Sequence, residues 1–131
     1  MEKYFDINLP GISIKAKLYA NPKTEIEKAV ICCHGFCGSK ESAFNKHLAE
    51  KLLGKEKHAA LLCFDWPCHG NDVRKKITLD LCITYLQAAI DYARETLGAK
   101  QLYAVANSFG GYMTLLYLSR VGCPFEKIAL R

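Results

Sequence analysis

Three short segments hold the residue types from which an acyl-transfer site is built. The first is Ala106-Asn107-Ser108-Phe109-Gly110-Gly111, a serine among small residues. Where such a serine occupies a sharp turn from a strand into a helix, its hydroxyl is lifted clear of the sheet. The helix behind it then aims its positive end at developing negative charge. Ala106 and Gly110 meet the need for small neighbours, with Ala standing where Gly is commoner. A serine that merely caps a helix fits the same spacing. The second segment is His34-Gly35-Phe36-Cys37-Gly38-Ser39-Lys40. Its glycines let the backbone turn sharply and present N–H groups. The N–H of Phe36 and that of Phe109, just after the serine, are the candidate pair of oxyanion donors. A phosphate loop does not fit, because the order is Gly-Ser-Lys rather than G-x-x-x-x-G-K-[ST]. No G-x-G-x-x-G occurs anywhere in the chain, so no dinucleotide is expected.

The third segment, Asp65-Trp66-Pro67-Cys68-His69-Gly70-Asn71-Asp72, offers His69-Gly70 as a lining of the same crevice. An ordinary structural turn also accounts for it. Cys37, Cys68, His34 and His69 are metal-ligand types, but their spacing matches no zinc pattern. Neither a metal nor another cofactor is expected.

The elements around these turns follow from hydrophobic pattern. Tyr4 to Leu9 and Ile12 to Ala20 read as two antiparallel strands joined across Pro10-Gly11. In the second, Ile12, Ile14, Ala16 and Leu18 alternate with Ser13, Lys15 and Lys17, which predicts a strand buried on one face. Ala29–Cys33, Ala59–Phe64 and Leu102–Ala106 are short apolar runs suited to central strands, and one of the three turns follows each. Helices fall between them. Ser42 to Leu53 carries Phe44, Leu48 and Leu52 on one stripe, with Gly54 as a stop. Thr78 caps a long helix ending at Gly98, and a third runs from about Phe109 to Val121. Lys127 to Arg131 begins a further strand. The fold class is therefore α/β: a mostly parallel sheet with helices on both faces, breaking off after about the sixth strand. Residues 1–131 form one incomplete domain. Ligands of such sheets bind beyond the carboxyl ends of the strands, where the three turns lie.

Composition narrows the partners. Half the chain is hydrophobic, enough to build a core. The net charge of +5 is scattered, and Arg74-Lys75-Lys76 is better explained as a solvated loop than as a nucleic-acid patch. No apolar stretch reaches the ~20 residues of a membrane span, and Met1 to Lys15 lacks the apolar block of a signal peptide. Seven cysteines without a C-x-x-C pair point to a reducing, cytoplasmic setting.

Taken together, the three turns resemble the α/β-hydrolase family of serine hydrolases, nearest to small bacterial esterases of the cinnamoyl/feruloyl-esterase and acylaminoacyl-peptidase-like kind, in which H-G-F-x-G occupies the first turn. The resemblance covers nearly the whole chain. It implies Ser108 as nucleophile, Phe36 and Phe109 as oxyanion donors, His34, Gly35, His69 and Gly110 as lining, and a small-molecule acyl substrate. Departures are Ala106 for Gly, and Pro67-Cys68 where the family often has a Gly. The family's triad continues after the serine with an Asp or Glu and then a His. After Ser108 this chain holds no His or Asp, and Glu126 is its sole carboxylate. The expectation is the N-terminal half of an ester hydrolase, nearly inactive alone. The alternative is a non-catalytic α/β module that binds a partner. In an unusual order, His34 or His69 from the facing turns would serve as base.

Overall fold

A computed structural model describes residues 1–131. Strands β1 (Glu2–Leu9) and β2 (Ile12–Ala20) form an antiparallel hairpin. Pro10 suits the first corner of its turn, and Gly11 takes the positive φ of 73° that the second requires. There follow β3 (Lys28–Cys33), α1 (Ala43–Lys55), β4 (Ala59–Phe64), α2 (Leu79–Asp91), β5 (Gln101–Ala106), α3 (Phe109–Arg120) and β6 (Lys127–Leu130). The sheet order is β1-β2-β4-β3-β5-β6. From β4 to β6 all neighbours are parallel. The six-stranded, mostly parallel architecture is the one the sequence pattern predicts.

Burial explains the apolar runs. Every residue of β4 is buried, as is every residue of β3 after Lys28. Helix α1 covers one face, where Phe44, Leu48 and Leu52 pack on Val30, Cys32 and Leu61. Helices α2 and α3 cover the other, over Ile31, Leu62 and Phe64. The connections leaving β3 and β5, which are neighbours, thus depart to opposite faces. That divergence opens a crevice at the carboxyl ends of these two strands.

Three local expectations need correction. Gly54 does not stop α1, which runs through it to Lys55 and closes when Glu56 leaves helical backbone while its N–H still reaches the Leu52 carbonyl, 2.8 Å away. An exposed glycine costs a helix only about 1 kcal/mol. The helix capped by Thr78 is not uniform: beyond Asp91 it widens into a π-helical turn, Tyr92–Thr96, before Gly98 takes φ 75°. The outer face of β2 is not solvated either. Lys17 and Tyr19 are buried there, because the ammonium of Lys17 is held by Glu41 at 2.8 Å and lies over the Tyr4 and Tyr19 rings.

The far edge of the sheet is open. No strand pairs with the outer side of β6, Leu130 is exposed, and so are Tyr112 and Leu115 on α3. On the α1 side, a hollow of about 390 Å³ is lined by Val30, Leu48, Leu52, Tyr103, Val105 and Ala129. No helix is long and apolar enough to cross a membrane.

Candidate functional site

Ser108 stands in a two-residue turn between β5 and α3, at φ 49° and ψ −112°. A non-glycine residue there stores about 1–3 kcal/mol of strain and persists only where its surroundings over-determine it. They do so here through the backbone. The N–H of Asn107 donates to the Cys33 carbonyl at 2.9 Å, that of Ser108 to the Arg131 carbonyl at 2.9 Å, and that of Gly110 to the Asn107 carbonyl at 2.8 Å. The serine side chain makes no capping bond to α3 and is exposed, so the helix-cap reading fails.

The small neighbours have a steric cause. A Cβ on Gly110 would lie 2.2 Å from the Cys33 carbonyl oxygen and 2.7 Å from that of His34. Helix α3 therefore begins in contact with the backbone end of β3. A Cβ on Gly35 would lie 3.3 Å from Ser108 Cβ and 3.2 Å from the Asn107 carbonyl oxygen. The two glycine-bearing turns meet face to face.

Residues 35–38 form a tight turn closed by the Gly38 N–H on the Gly35 carbonyl at 3.0 Å, with Cys37 at φ 62°. The rings of Phe36 and Phe109 stack at 4.0 Å between centroids. Their two residues are thus side by side, and neither backbone N–H donates to another group of the chain in the turns. His69, half-buried, stacks on Phe36 at 5.5 Å, so Phe109, Phe36 and His69 make an aromatic shelf beside Ser108.

His34 is a structural hinge between loops. Its Nε2 accepts from the Trp66 N–H at 3.2 Å, which leaves the proton on Nδ1 to donate to the Gly35 carbonyl at 2.7 Å. The Trp66 indole N–H returns a bond to the His34 carbonyl at 2.8 Å. Burial pushes the imidazole below its ordinary value of 6.5. With both nitrogens engaged, His34 is not available as a base.

One cluster was not singled out from the sequence. Asp65, fully buried, accepts from the Lys40 N–H at 2.7 Å, the Lys40 ammonium at 2.8 Å and the Asn71 N–H at 2.9 Å. The Asn71 side-chain oxygen accepts a second bond from the ammonium at 2.6 Å. Gly70 is required beside it, since a Cβ there would lie 2.4 Å from the Asp65 carboxylate. The available signal was a lysine closing the turn after β3 and an aspartate opening the turn after β4, on neighbouring apolar strands. Cys68, in the Pro67-Cys68 pair where a Gly is commoner, takes φ 67°.

The other candidates lie apart. His47 is exposed on α1, and His58 bonds the Glu25 carbonyl at the amino end of β4. Glu126 precedes β6, so it sits at the end of the sheet remote from Ser108. The Nδ1 of His69 bonds the Pro67 carbonyl at 2.9 Å, leaving its Nε2 unclaimed. No three His, Cys, Asp or Glu side chains are grouped as a metal would need.

A family model described as alpha/beta hydrolase fold matches residues 28–129. No curated protein matches by sequence. Among solved structures, Est1E from Butyrivibrio proteoclasticus with ferulic acid bound is similar over 95% of this chain and 50% of its own, at 25% identity and TM-score 0.82. The Pyrococcus furiosus esterase Pf2001 is similar over 99% of this chain and 49% of its own, at 21% identity and TM-score 0.78. A cold-adapted esterase from an Arctic intertidal metagenomic library is similar over 98% of this chain and 59% of its own, at 17% identity and TM-score 0.82. The chain spans between about half and three-fifths of these three structures.

Two outcomes follow from this geometry. Gly110→Ala should lower stability by up to about 2 kcal/mol in urea titration, because overpacking against β3, costing up to about 3 kcal/mol, outweighs the gain of about 1 kcal/mol that Ala brings to a helix. Gly54→Ala, with nothing within 4 Å, should show that gain instead. Equal effects at both positions would refute the contact. His34 predicts a pH dependence. The unfolded chain takes up its proton at about 6.5 while the buried imidazole resists until lower pH, so stability is full above about 6.5 and falls as pH drops below it. The melting temperature should decline between about pH 7 and pH 5, and less so in His34→Gln.

Proposed function

The chain belongs to the alpha/beta hydrolase fold family, and we propose that it supplies the nucleophile and oxyanion half of a serine hydrolase acting on carboxylic esters or related acyl bonds. The observation that carries this reading is the strained, uncapped Ser108 held between β5 and α3 beside two unclaimed N–H groups. In the proposed reaction Ser108 Oγ attacks the acyl carbonyl carbon, and the carbonyl oxygen becomes an oxyanion. The N–H groups of Phe36 and Phe109 and the positive end of α3 stabilise it. Collapse expels the alcohol, which takes up the proton lost by the serine, and leaves an acyl ester on Ser108. Water then cleaves that ester. Moving these protons requires a base oriented by an acid. Within the family's order both come after the serine, where Phe109 to Arg131 hold no His or Asp, so on this proposal a longer polypeptide would have to supply them.

The aromatic shelf suits an apolar or planar group on a small-molecule substrate. That the similar Est1E binds ferulic acid is in keeping with this. Seven free thiols support a reducing, cytoplasmic setting. That no histidine of the chain is hydrogen-bonded to a carboxylate favours, as a second reading, a module that binds without turnover.

Labelling by a fluorophosphonate probe separates the two. The 131-residue chain should label slowly or not at all, with little p-nitrophenyl acetate turnover above Ser108→Ala, since losing the base of a triad costs about 10⁶-fold. A polypeptide extended through a downstream Asp and His should label readily and lose labelling in Ser108→Ala. An extended protein that stays unlabelled leaves the binding module as the better reading. Fast Ser108-dependent turnover by the 131 residues alone would instead assign the base to His69, whose Nε2 is unclaimed.

A further inference from the structure

We propose that Asp65 and Lys40 are positioning residues for the Phe36 N–H, acting through the turn that carries it; the proposal rests on the oxyanion role assigned to that N–H. The loop from His34 to Ser42 joins β3 to α1 and would wander if tethered only at its ends. Its start is pinned by the paired bonds between His34 and Trp66. Its far end is pinned twice, by adjacent residues reaching in different directions. Lys40 engages Asp65 beyond β4, through both its backbone N–H and its ammonium. Glu41 engages Lys17 on β2 at 2.8 Å and the Tyr4 hydroxyl of β1 at 2.8 Å. Slack is thereby confined to residues 35–38, which the Gly38-to-Gly35 bond closes.

Of these anchors, the Asp65 pair is the one placed to matter at Phe36. Lys40 is two residues beyond Gly38, whereas Glu41 also borders the capping turn of α1. Asp65 and Lys40 are almost wholly buried, at 0% and 3% exposure, so salt does not loosen them as it loosens a surface pair. The bonds are also divided with little redundancy. One carboxylate oxygen takes the Lys40 N–H, and the other takes the ammonium and the Asn71 N–H. Losing the charge therefore loosens the far end of the loop after β3, leaving the His34–Trp66 bonds at its start and the Lys40–Asn71 bond, while Ser108, whose turn is held by Cys33 and Arg131, is untouched.

The test uses amide signals of the 131-residue chain, which do not depend on turnover. In Asp65→Asn, the Phe36 order parameter should fall from about 0.85 to below ~0.6, and exchange of the Gly38 N–H should accelerate at least about tenfold. Phe109, Gly111 and the β3–β4 amides should keep their values. If Asp65→Asn does not fold, Lys40→Met/Asp65→Asn, which leaves no unpaired buried charge, carries the same comparison. Unchanged Phe36 and Gly38 in a folded variant, or equal loosening across the sheet, would overturn the proposal. In an extended, active protein Asp65→Asn should lower kcat by about 10²–10³-fold with KM nearly constant, as expected for a displaced oxyanion donor. An unlabelled extended wild type would sink the hydrolase reading alone, since the amide comparison stands without it.

Discussion

Helix α3 begins in van der Waals contact with the last residues of β3, and most of the site follows from that contact. Only a residue without a side chain allows it, and Gly110 is that residue. To bring the helix so close, the chain must reverse within Asn107 and Ser108. The reversal forces Ser108 into a backbone region that costs free energy. The same approach sets the turn after β3 against the turn after β5, because the two strands are paired from Lys28–Gln101 to Cys33–Ala106. Strain at the serine and the meeting of the two glycine-bearing turns are thus one geometric fact seen from two sides.

The loops at this end are held by different kinds of interaction. His34 and Trp66 use neutral hydrogen bonds, one of which, from the Trp66 N–H to Nε2, is lost if the imidazole is protonated. Lys40 and Asp65 use charge, and in a buried setting a charge must be fully partnered to be tolerated. Asp65 meets that demand with three donors and Lys40 with two side-chain acceptors. Such a pair adds little net stability over apolar residues of the same size, since desolvation offsets most of the attraction. What it provides is a fixed polar link between two loops at the point where Lys40 and Asp65 meet.

How much of this was legible in the sequence depends on range. The strands were legible because β3, β4 and β5 are buried on both faces and must read as unbroken apolar runs. Ser42 and Thr78 were legible as helix starts because capping is a local bond, here to the N–H groups of Asn45 and Leu81. The turns after β3 and β5 were legible as turns because their small residues answer to close backbone approach. Gly54 misled because a glycine only disfavours a helix, while the true end was set by where Glu56 turned away. Lys17 misled because its burial depends on Glu41 and two tyrosines, none of which a strand pattern reveals. Asp65 and Lys40 escaped for the same reason: their meaning is a contact across 25 residues.

The division of labour in such a site has a physical basis. Charge stabilisation can be built from backbone N–H groups, which any sharp turn supplies, and two turns on adjacent parallel strands suffice. Proton transfer needs side chains with particular ionisation behaviour, so it must draw on other strand ends. In this chain the strand ends on the β2 side of the crevice offer no imidazole oriented by a carboxylate: His34 is saturated by Trp66 and Gly35, His58 is at the opposite end, and His69, with its Nε2 unclaimed, turns its Nδ1 to the Pro67 carbonyl. The β6 side is where the sheet presents unpaired backbone and where Leu130, Tyr112 and Leu115 are uncovered. A further strand laid on β6 would cover apolar surface and satisfy those backbone groups. Run parallel to β6, it would also deliver its own carboxyl end to the same rim as Ser108, whose N–H is already held by the carbonyl of Arg131 just past β6. On the hydrolase proposal, covering the open sheet edge and completing the chemistry would therefore draw on the same side of the sheet.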